Sequence, residues 1–143
     1  MNIKIADLMA KRVISVVPHH SVSHVRRVME RNRIHAIPVV GPQMEALGIV
    51  SSADLARRLK DQTRISRIMS RNVKTIPAYN DVSAAARAMR RSKIHHLVVT
   101  HEKRVVGMIS SFDLMKLVED HRFVMKNAPT KKAKKHRRKL TTG

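Results

Sequence analysis

The sequence predicts an α/β protein made of two tandem β-α-β-β-α units packed through their sheets, followed by a basic tail. The main observation is an internal repeat, because the order of residue types recurs after a shift of 60 positions. The second observation is that short apolar runs alternate with amphipathic helical stretches in each copy. The first copy supplies Ile5, Met9, Val13, Val22, Ser23, Arg27, Met29, Arg31, Ile34, His35 and Val39, which fall on Ile65, Met69, Val73, Val82, Ser83, Arg87, Met89, Arg91, Ile94, His95 and Val99. After a one-residue deletion beyond Val40, Gly48, Ser51, Ser52, Asp54 and Leu55 fall on Gly107, Ser110, Ser111, Asp113 and Leu114. We assign residues 1–60 to unit 1, 61–120 to unit 2 and 121–143 to the tail.

Each copy opens in the same way. A short amphipathic turn (3–9 and 65–69) leads into a strand rich in β-branched residues (13–17 and 73–76). A helix follows, because Ser21 and Asp81 are good N-cap residues and the apolar residues after them share one helical face.

The second half of each copy predicts a hairpin of buried strands and a closing helix. Residues 36–40 and 97–99 are continuous apolar runs, which is typical of strands buried on both faces. A loop returns the chain into a further strand, and the last helix starts at Ser51 or Ser110. A unit of about 55 residues buries its apolar faces poorly alone. We therefore expect the two units to pack together.

The amino-acid composition limits the classes of protein to which this chain can belong. The 143 residues contain 30 Lys and Arg against 10 Asp and Glu, a formal net charge of +20. The chain has no Cys, which excludes disulfide scaffolds, thiol catalysis and thiolate zinc sites. It has neither an apolar run long enough to span a membrane nor an apparent secretory signal, so we expect a cytoplasmic protein that does not contact membranes.

The tail carries much of the positive charge. Nine Lys and Arg follow Asp120, and no acidic residue does. Such a block predicts disorder. Since it could neutralise several phosphates, the alternative function is a basic scaffold associated with nucleic acid.

One motif occurs at the same place in both copies. Residues 48–54 and 107–113 share the pattern G-x-x-S-x-x-D where a strand meets a helix. Glycine permits close approach to the backbone, the serine lies at a helix N-terminus that favours anions, and the carboxylate suits a ribose diol. The alternative is that Ser and Asp form a capping box and bind nothing.

The order of elements, the apolar run at residues 37–40 and the two motifs closely resemble the cystathionine-β-synthase (CBS) domain family. Two tandem copies resemble a Bateman module, which implies that the units pack through their sheets with pseudo-twofold symmetry. The resemblance covers residues 1–120 and implies a regulatory module that binds AMP, ADP or ATP, or S-adenosylmethionine, in clefts between the units. It also implies a homodimer, and an output through an effector protein that the sequence does not identify. One departure is that Pro38 of the central strand is Val98 in the second copy.

The resemblance also implies roles for individual residues. The ribose would be bound by Asp54, Asp113, Ser51 and Ser110. The adenine would be bound by Val17, Pro18, His19, Pro77, Ala78, Tyr79, Ile37, Pro38 and Leu97. The phosphates would be bound by His35, His95, Arg33 and Lys93, although the last two also suit helix ends.

The sequence offers little for catalysis or metal binding. Its nine His include no HExxH motif, and neighbouring His95 and His96 would point to opposite faces of a strand. It has neither a GxSxG motif nor a phosphate-binding P-loop. We expect neither an enzyme nor a metal site, and no cofactor requirement.

Overall fold

The computed structural model describes residues 2–120. In chain order its elements are α1 (Ile5–Leu8), α2 (Val22–Asn32), β1 (Ala36–Val40), β2 (Ala46–Ser51), α3 (Ser52–Leu55), a 3-10 helix (Ile65–Arg67), β3 (Thr75–Pro77), α4 (Val82–Ser92), β4 (His96–His101), β5 (Arg104–Ser110) and α5 (Ser111–Asp120). The predicted α/β class is confirmed. The tail, predicted to be disordered, lies outside the described residues.

The two units form two small sheets. In unit 1, β1 pairs antiparallel with β2; in unit 2, β4 lies between parallel β3 and antiparallel β5. Both hairpins have an irregularity at the same place, between Val39 and Val40 and between Val99 and Thr100. The duplication is therefore visible in the backbone as well as in the sequence.

The predicted first strand of unit 1 differs from its counterpart. Only Val16 pairs with β1, through a parallel bridge to Val39. In unit 2, the Val98 amide donates a hydrogen bond of 3.1 Å to the Lys74 carbonyl, which extends the ladder towards the start of β3. The residue equivalent to Val98 is Pro38, which has no N–H to donate. The ladder of unit 1 therefore has no donor at this position.

The long helices α2 and α4 end in the same way. Arg33 and Lys93 adopt left-handed conformations, with φ of 53° and 55°, immediately after the last helical residue. The following amides, of Ile34 and Ile94, donate back to the carbonyls of Met29 and Met89. This arrangement terminates a helix by satisfying its free carbonyls.

Helix α3 is only one turn long, whereas its counterpart α5 reaches Asp120. After Leu55 the chain must turn back, because residues 61–63 accept hydrogen bonds from the first turn of α2. The Arg26 guanidinium donates to the Leu55 carbonyl at 2.7 Å and so satisfies one end of the short helix. The linker between the units thus limits α3.

The opening turns of the two copies are exchanged. In the first unit, Ile65 and Met69 are part of the core that contains Val25 and Val50. In the second, Ile5 is part of the core that contains Leu97 and Ile109. Backbone hydrogen bonds hold each turn in place, from Ile65 to the His20 carbonyl and from Ile5 to the Asn80 carbonyl. The boundary at residue 60 describes the repeat, while each core is completed by the other copy.

The sheets also meet directly. Val40, Val98 and Val105 form a third buried cluster that joins residues of both units. The Val105 amide donates to the Met44 carbonyl across this interface at 2.8 Å. The two units therefore share buried apolar surface and a backbone hydrogen bond. Within residues 2–120, no helix has the length and apolar character needed to cross a membrane.

Candidate ligand-binding clefts

Both motif corners form capping boxes. The Asp54 carboxylate accepts the Ser51 amide through Oδ2 at 2.8 Å, and the Ser51 hydroxyl accepts the Asp54 amide at 3.3 Å. Asp113 accepts the Ser110 amide through Oδ2 at 2.9 Å and also accepts the Ser110 hydroxyl at 3.1 Å. The caps use only one oxygen of each carboxylate, so capping and ligand binding are compatible.

The free oxygens differ between the two corners. Asp113 Oδ1 lies 4.0 Å from the Lys116 ammonium group. Among residues 2–120, no hydrogen bond or ion pair is assigned to Asp54 Oδ1. At the Asp54 corner, a ligand would therefore not compete with a lysine for the free carboxylate oxygen.

A cleft of about 580 Å³ lies at the Asp54 corner, and we call it the Asp54 cleft. Both copies contribute to its lining, which comprises Ala36, Ile49, Ser51, Ala53, Asp54, Ser70, Asn72, Lys74, Ser92, Ile94, His95 and His96. Its aliphatic side chains could cover an apolar ring, while the polar ones are available for a sugar and an anion. The volume is within the range of small-molecule sites.

The pseudo-equivalent hollow is much smaller. The Met108 cleft, as we call it, has a volume of about 70 Å³ and is lined by Ala10, Arg12, Ile14, Ile34, Ala36, Gly107 and Met108. Neither Ser110 nor Asp113 is in this lining. The long side chains of Arg12 and Met108 occur where the Asp54 cleft has Asn72 and Ile49. The structure therefore brings only one motif aspartate to an open cleft.

The motif glycines make room for the chain itself. A Cβ atom on Gly48 would lie 2.5 Å from the Met69 sulfur and 3.0 Å from the Ser70 carbonyl oxygen. A Cβ atom on Gly107 would lie 3.1 Å from the Met9 sulfur and 3.2 Å from the Ala10 carbonyl oxygen. Close approach explains both glycines, but the approaching group is the opening segment of the other copy.

The residues predicted to bind adenine are not brought to the Asp54 cleft. Pro77, Ala78 and Tyr79 line a separate hollow of about 520 Å³, where the Tyr79 ring lies edge-on to His101 at 5.3 Å. Ile37 and Leu97 are buried in the unit cores, and Pro38 is buried within β1. Residues 17–19 form the turn before α2, where the Pro18 carbonyl accepts the Ser66 amide at 3.1 Å.

The residues predicted to bind phosphate are divided among three sites. His95 lines both the Asp54 cleft and the groove between α4 and α5, and His35 and Arg33 line an outer groove between α2 and α3. Lys93 lines the corresponding groove between α4 and α5. The Nδ1 atoms of His35 and His95 lie 3.3 Å from the Ser52 and Ser111 hydroxyls, so each ring contacts the first residue of the closing helix.

Several lining residues were missed by the sequence reasoning. Ser70, Asn72 and Lys74 precede β3, and His96 begins β4. The available signal was the difference between the copies, because Ile14 and Ala36 of unit 1 align with Lys74 and His96. Polar replacements at apolar positions of a repeat indicate a surface that only one copy exposes.

His96 has the most distinctive electrostatic environment in the cleft. Burial lowers the pKa of its imidazole below the usual value, and the neighbouring His95 and His35 lower that pKa further. Asp113 acts in the opposite direction by favouring the charged ring. Within residues 2–120, no three His, Asp or Glu side chains are arranged to hold a metal ion.

Comparison with known proteins identifies the family. The family model described as "CBS domain" matches twice, over residues 5–61 and 65–120. The chain belongs to the CBS domain family. Two matches in tandem make it a CBS pair, as the sequence resemblance implied.

A solved CBS pair has the same fold. The CBS domain pair of protein MJ0100, in complex with 5′-methylthioadenosine and S-adenosyl-L-methionine, matches with a TM-score of 0.77 and 26% identity. The match covers 83% of this chain and 98% of that chain.

Curated relatives match over a part of their own length. Homoserine O-acetyltransferase of Methanosalsum zhilinae is 31% identical over 85% of this chain and 25% of the relative. Inosine-5′-monophosphate dehydrogenase of Methanocaldococcus jannaschii is 27% identical over 79% of this chain and 23% of the relative. The CBS pair thus spans about a quarter of each of these enzymes.

Proposed function

We propose that this CBS pair is a non-catalytic regulatory module that binds an adenosine-containing ligand in the Asp54 cleft. The observation that carries the proposal is the position of Asp54. Its carboxylate caps α3 through one oxygen and borders a cleft of about 580 Å³ between the units. A ribose diol is the kind of group that can donate hydrogen bonds to such a carboxylate.

The rest of the lining suits the other parts of a nucleotide. Ile49 and Ile94 offer aliphatic surfaces for a purine, and the Asn72 amide offers a donor and an acceptor for its edge. Lys74 and His95 offer positive or hydrogen-bonding groups for a phosphate. The similar CBS pair of MJ0100 was solved with two adenosine derivatives, which supports this ligand class.

The curated relatives support a non-catalytic role. An acetyltransferase and a dehydrogenase carry out different chemistry, yet each contains a region similar to this chain. A region common to both is poorly suited to hold the catalytic groups of either. Regulation would then require the ligand to bind two arrangements of the units with different affinity, and an effector protein to respond.

Titration calorimetry with AMP, ATP, S-adenosylmethionine and 5′-methylthioadenosine tests the proposal. We expect at least one ligand to bind, and Asp54→Asn to weaken it by about 1–3 kcal/mol, the scale for losing a hydrogen bond to a charged group. For the uncharged ligand 5′-methylthioadenosine, Asp113→Asn is the matched control, because it changes the same cap at a corner that does not line the Asp54 cleft. Absence of heat for all four ligands on folded protein, or equal losses in both variants, would contradict the proposed site.

We further propose a homodimer formed through α5. Phe112, Met115 and Val118 are spaced three residues apart on this helix and are 74%, 63% and 60% exposed. An exposed apolar patch of this kind marks an interaction surface. In sedimentation experiments, Phe112→Glu should shift the protein towards monomers, whereas Lys116→Glu on the same helix should have little effect. A wild-type monomer would contradict this assembly.

Nucleic-acid binding is the alternative function. Arg57, Arg58, Arg87, Arg90 and Arg91 are exposed on the described part of the chain, and further basic residues lie in the tail. Removing residues 126–143 should abolish any salt-dependent affinity for nucleic acid and leave adenosine-ligand binding unchanged. Loss of ligand binding in the truncated protein would instead assign the tail to the ligand site.

A further inference from the structure

A histidine distinguishes the Asp54 cleft from its pseudo-equivalent. His96 begins β4 and lines the Asp54 cleft together with Lys74. The aligned residue of the first copy is Ala36, which is buried and has no titratable group. After duplication the two copies diverged, and only one of the two equivalent positions now has a side chain that binds a proton.

His96 lies between the two motif corners. His96 and Asp54 both line the Asp54 cleft, and the partner of His96 across the β4–β5 ladder is Ser110, whose hydroxyl and amide donate hydrogen bonds to Asp113. The surrounding charges come from several elements. They are His95 on the segment before β4, His35 before β1, Asp113 on α5, and Lys74 and Asp54 in the cleft lining.

These surroundings favour the neutral imidazole in the free protein. Burial and the two neighbouring histidines oppose a positive charge on the ring. An anion bound in the cleft that His96 and Lys74 both line would supply negative charge to this site. In that complex the charged ring gains an attractive partner, and protonation becomes more favourable.

We propose that His96 makes the binding of a phosphate-bearing ligand in the Asp54 cleft depend on pH, by taking up a proton from solvent when that ligand binds. This inference rests on the proposed function, because it concerns the same cleft. The protein would bind such a ligand more tightly as the pH falls, while an adenosine derivative without phosphate would show no such dependence.

Linkage gives the sign of each effect. Because the pKa of His96 is lowered by folding, the unfolded chain holds this proton more readily than the free folded protein does. The free energy of unfolding without ligand therefore decreases as the pH falls below about 6.5, the ordinary value for histidine. A phosphate ligand raises the pKa of His96 again, so the ligand stabilises the fold more at low pH than at high pH.

The experiment measures proton uptake with AMP as the probe. Calorimetry at about pH 6.5 in two buffers of different ionisation enthalpy gives the number of protons taken up on binding. Because the phosphate of AMP itself titrates near pH 6, the informative quantity is the difference between wild type and His96→Asn. We expect uptake in the wild type to exceed that in the variant, and wild-type affinity to rise up to about tenfold more between pH 8 and pH 6.

Two further variants sharpen the result. His101→Asn is the matched control, since His101 lines the separate hollow beside Tyr79, and it should behave as wild type. Asp113→Asn removes the neighbour that favours the charged ring and should move the proton uptake to lower pH. His96→Ala, which copies Ala36, repeats the test if His96→Asn folds poorly.

The outcomes separate this inference from the proposed function. If the wild type binds none of the tested adenosine ligands at any pH, the proposed function fails. If AMP binds with the same proton uptake in wild type and in both His96 variants, this inference alone fails. If both variants remain folded but lose AMP binding at every pH, His96 is an obligatory contact rather than a titrating group, and the pH mechanism is overturned.

Discussion

The Asp54 cleft and the Met108 cleft are products of one duplication, yet their volumes are about 580 and about 70 Å³. The two corners share a Ser-x-x-Asp capping box that follows a glycine approached by the other copy. The difference lies in side chains, because Arg12 and Met108 are longer than Asn72 and Ile49. Duplication thus preserves the corner, and a few substitutions decide which corner has room for a ligand.

A second contrast concerns the sheets. The Val98 amide donates the hydrogen bond that extends the ladder between β3 and β4 to Lys74, whereas Pro38 has no donor in unit 1. The departure from the family pattern, in which Val98 occupies the position of Pro38, therefore affects strand pairing. It does not change the wall of an open cleft, because both residues are buried.

Substitutions in the exchanged opening turns should have the largest effect on the free energy of unfolding. Ile5 and Ile65 are fully buried, each in the core of the unit formed mainly by the other copy. Ile5→Ala and Ile65→Ala should each lower the free energy of unfolding by about 2–5 kcal/mol, the usual cost of such a cavity. Urea denaturation measures it. A loss below about 1 kcal/mol in only one of them would show that the exchange is not reciprocal.

Exchanging Pro38 and Val98, the equivalent residues of the two central strands, should have an intermediate effect on the free energy of unfolding. Val98→Pro removes the hydrogen bond to the Lys74 carbonyl and should lower the free energy of unfolding by about 1–3 kcal/mol. Pro38→Val restores a donor in unit 1, but it loses the restraint of proline on the unfolded chain, so we expect a change within about 1 kcal/mol. Equal effects of the two exchanges would contradict the assigned role of this hydrogen bond.

Substitutions of the two motif glycines should have the smallest effect on stability. Gly48→Ala places a Cβ atom 2.5 Å from the Met69 sulfur, while Gly107→Ala leaves 3.1 Å to the Met9 sulfur. We expect a net loss of about 1 kcal/mol for Gly48→Ala, because overpacking exceeds the gain from a less flexible unfolded chain. Gly107→Ala should be close to neutral. Thermal unfolding measures the stability of both variants. A larger loss of stability for Gly107→Ala than for Gly48→Ala would contradict this expectation.

The sequence was most informative where the physics is local. Ser21 and the two Ser-x-x-Asp corners cap helices through contacts over three residues, and such contacts can be inferred from spacing alone. It was least informative for the cleft lining. Ser70, Lys74 and His96 are far from Asp54 along the chain, and only packing of the two copies brings them together.

By itself, the sequence determined that the chain is a duplicated α/β protein, because the repeat can be seen in the residue order and strand patterns and caps depend on neighbouring residues. Its assignment to the CBS type came from the resemblance of those elements and motifs to a known family. Only the tertiary structure decided that each core takes its opening turn from the other copy and that one of two equivalent hollows is open. Those features depend on the volumes of side chains that meet across the two units, such as Met108 and Arg12, and volume at a long-range contact has no signature in local sequence.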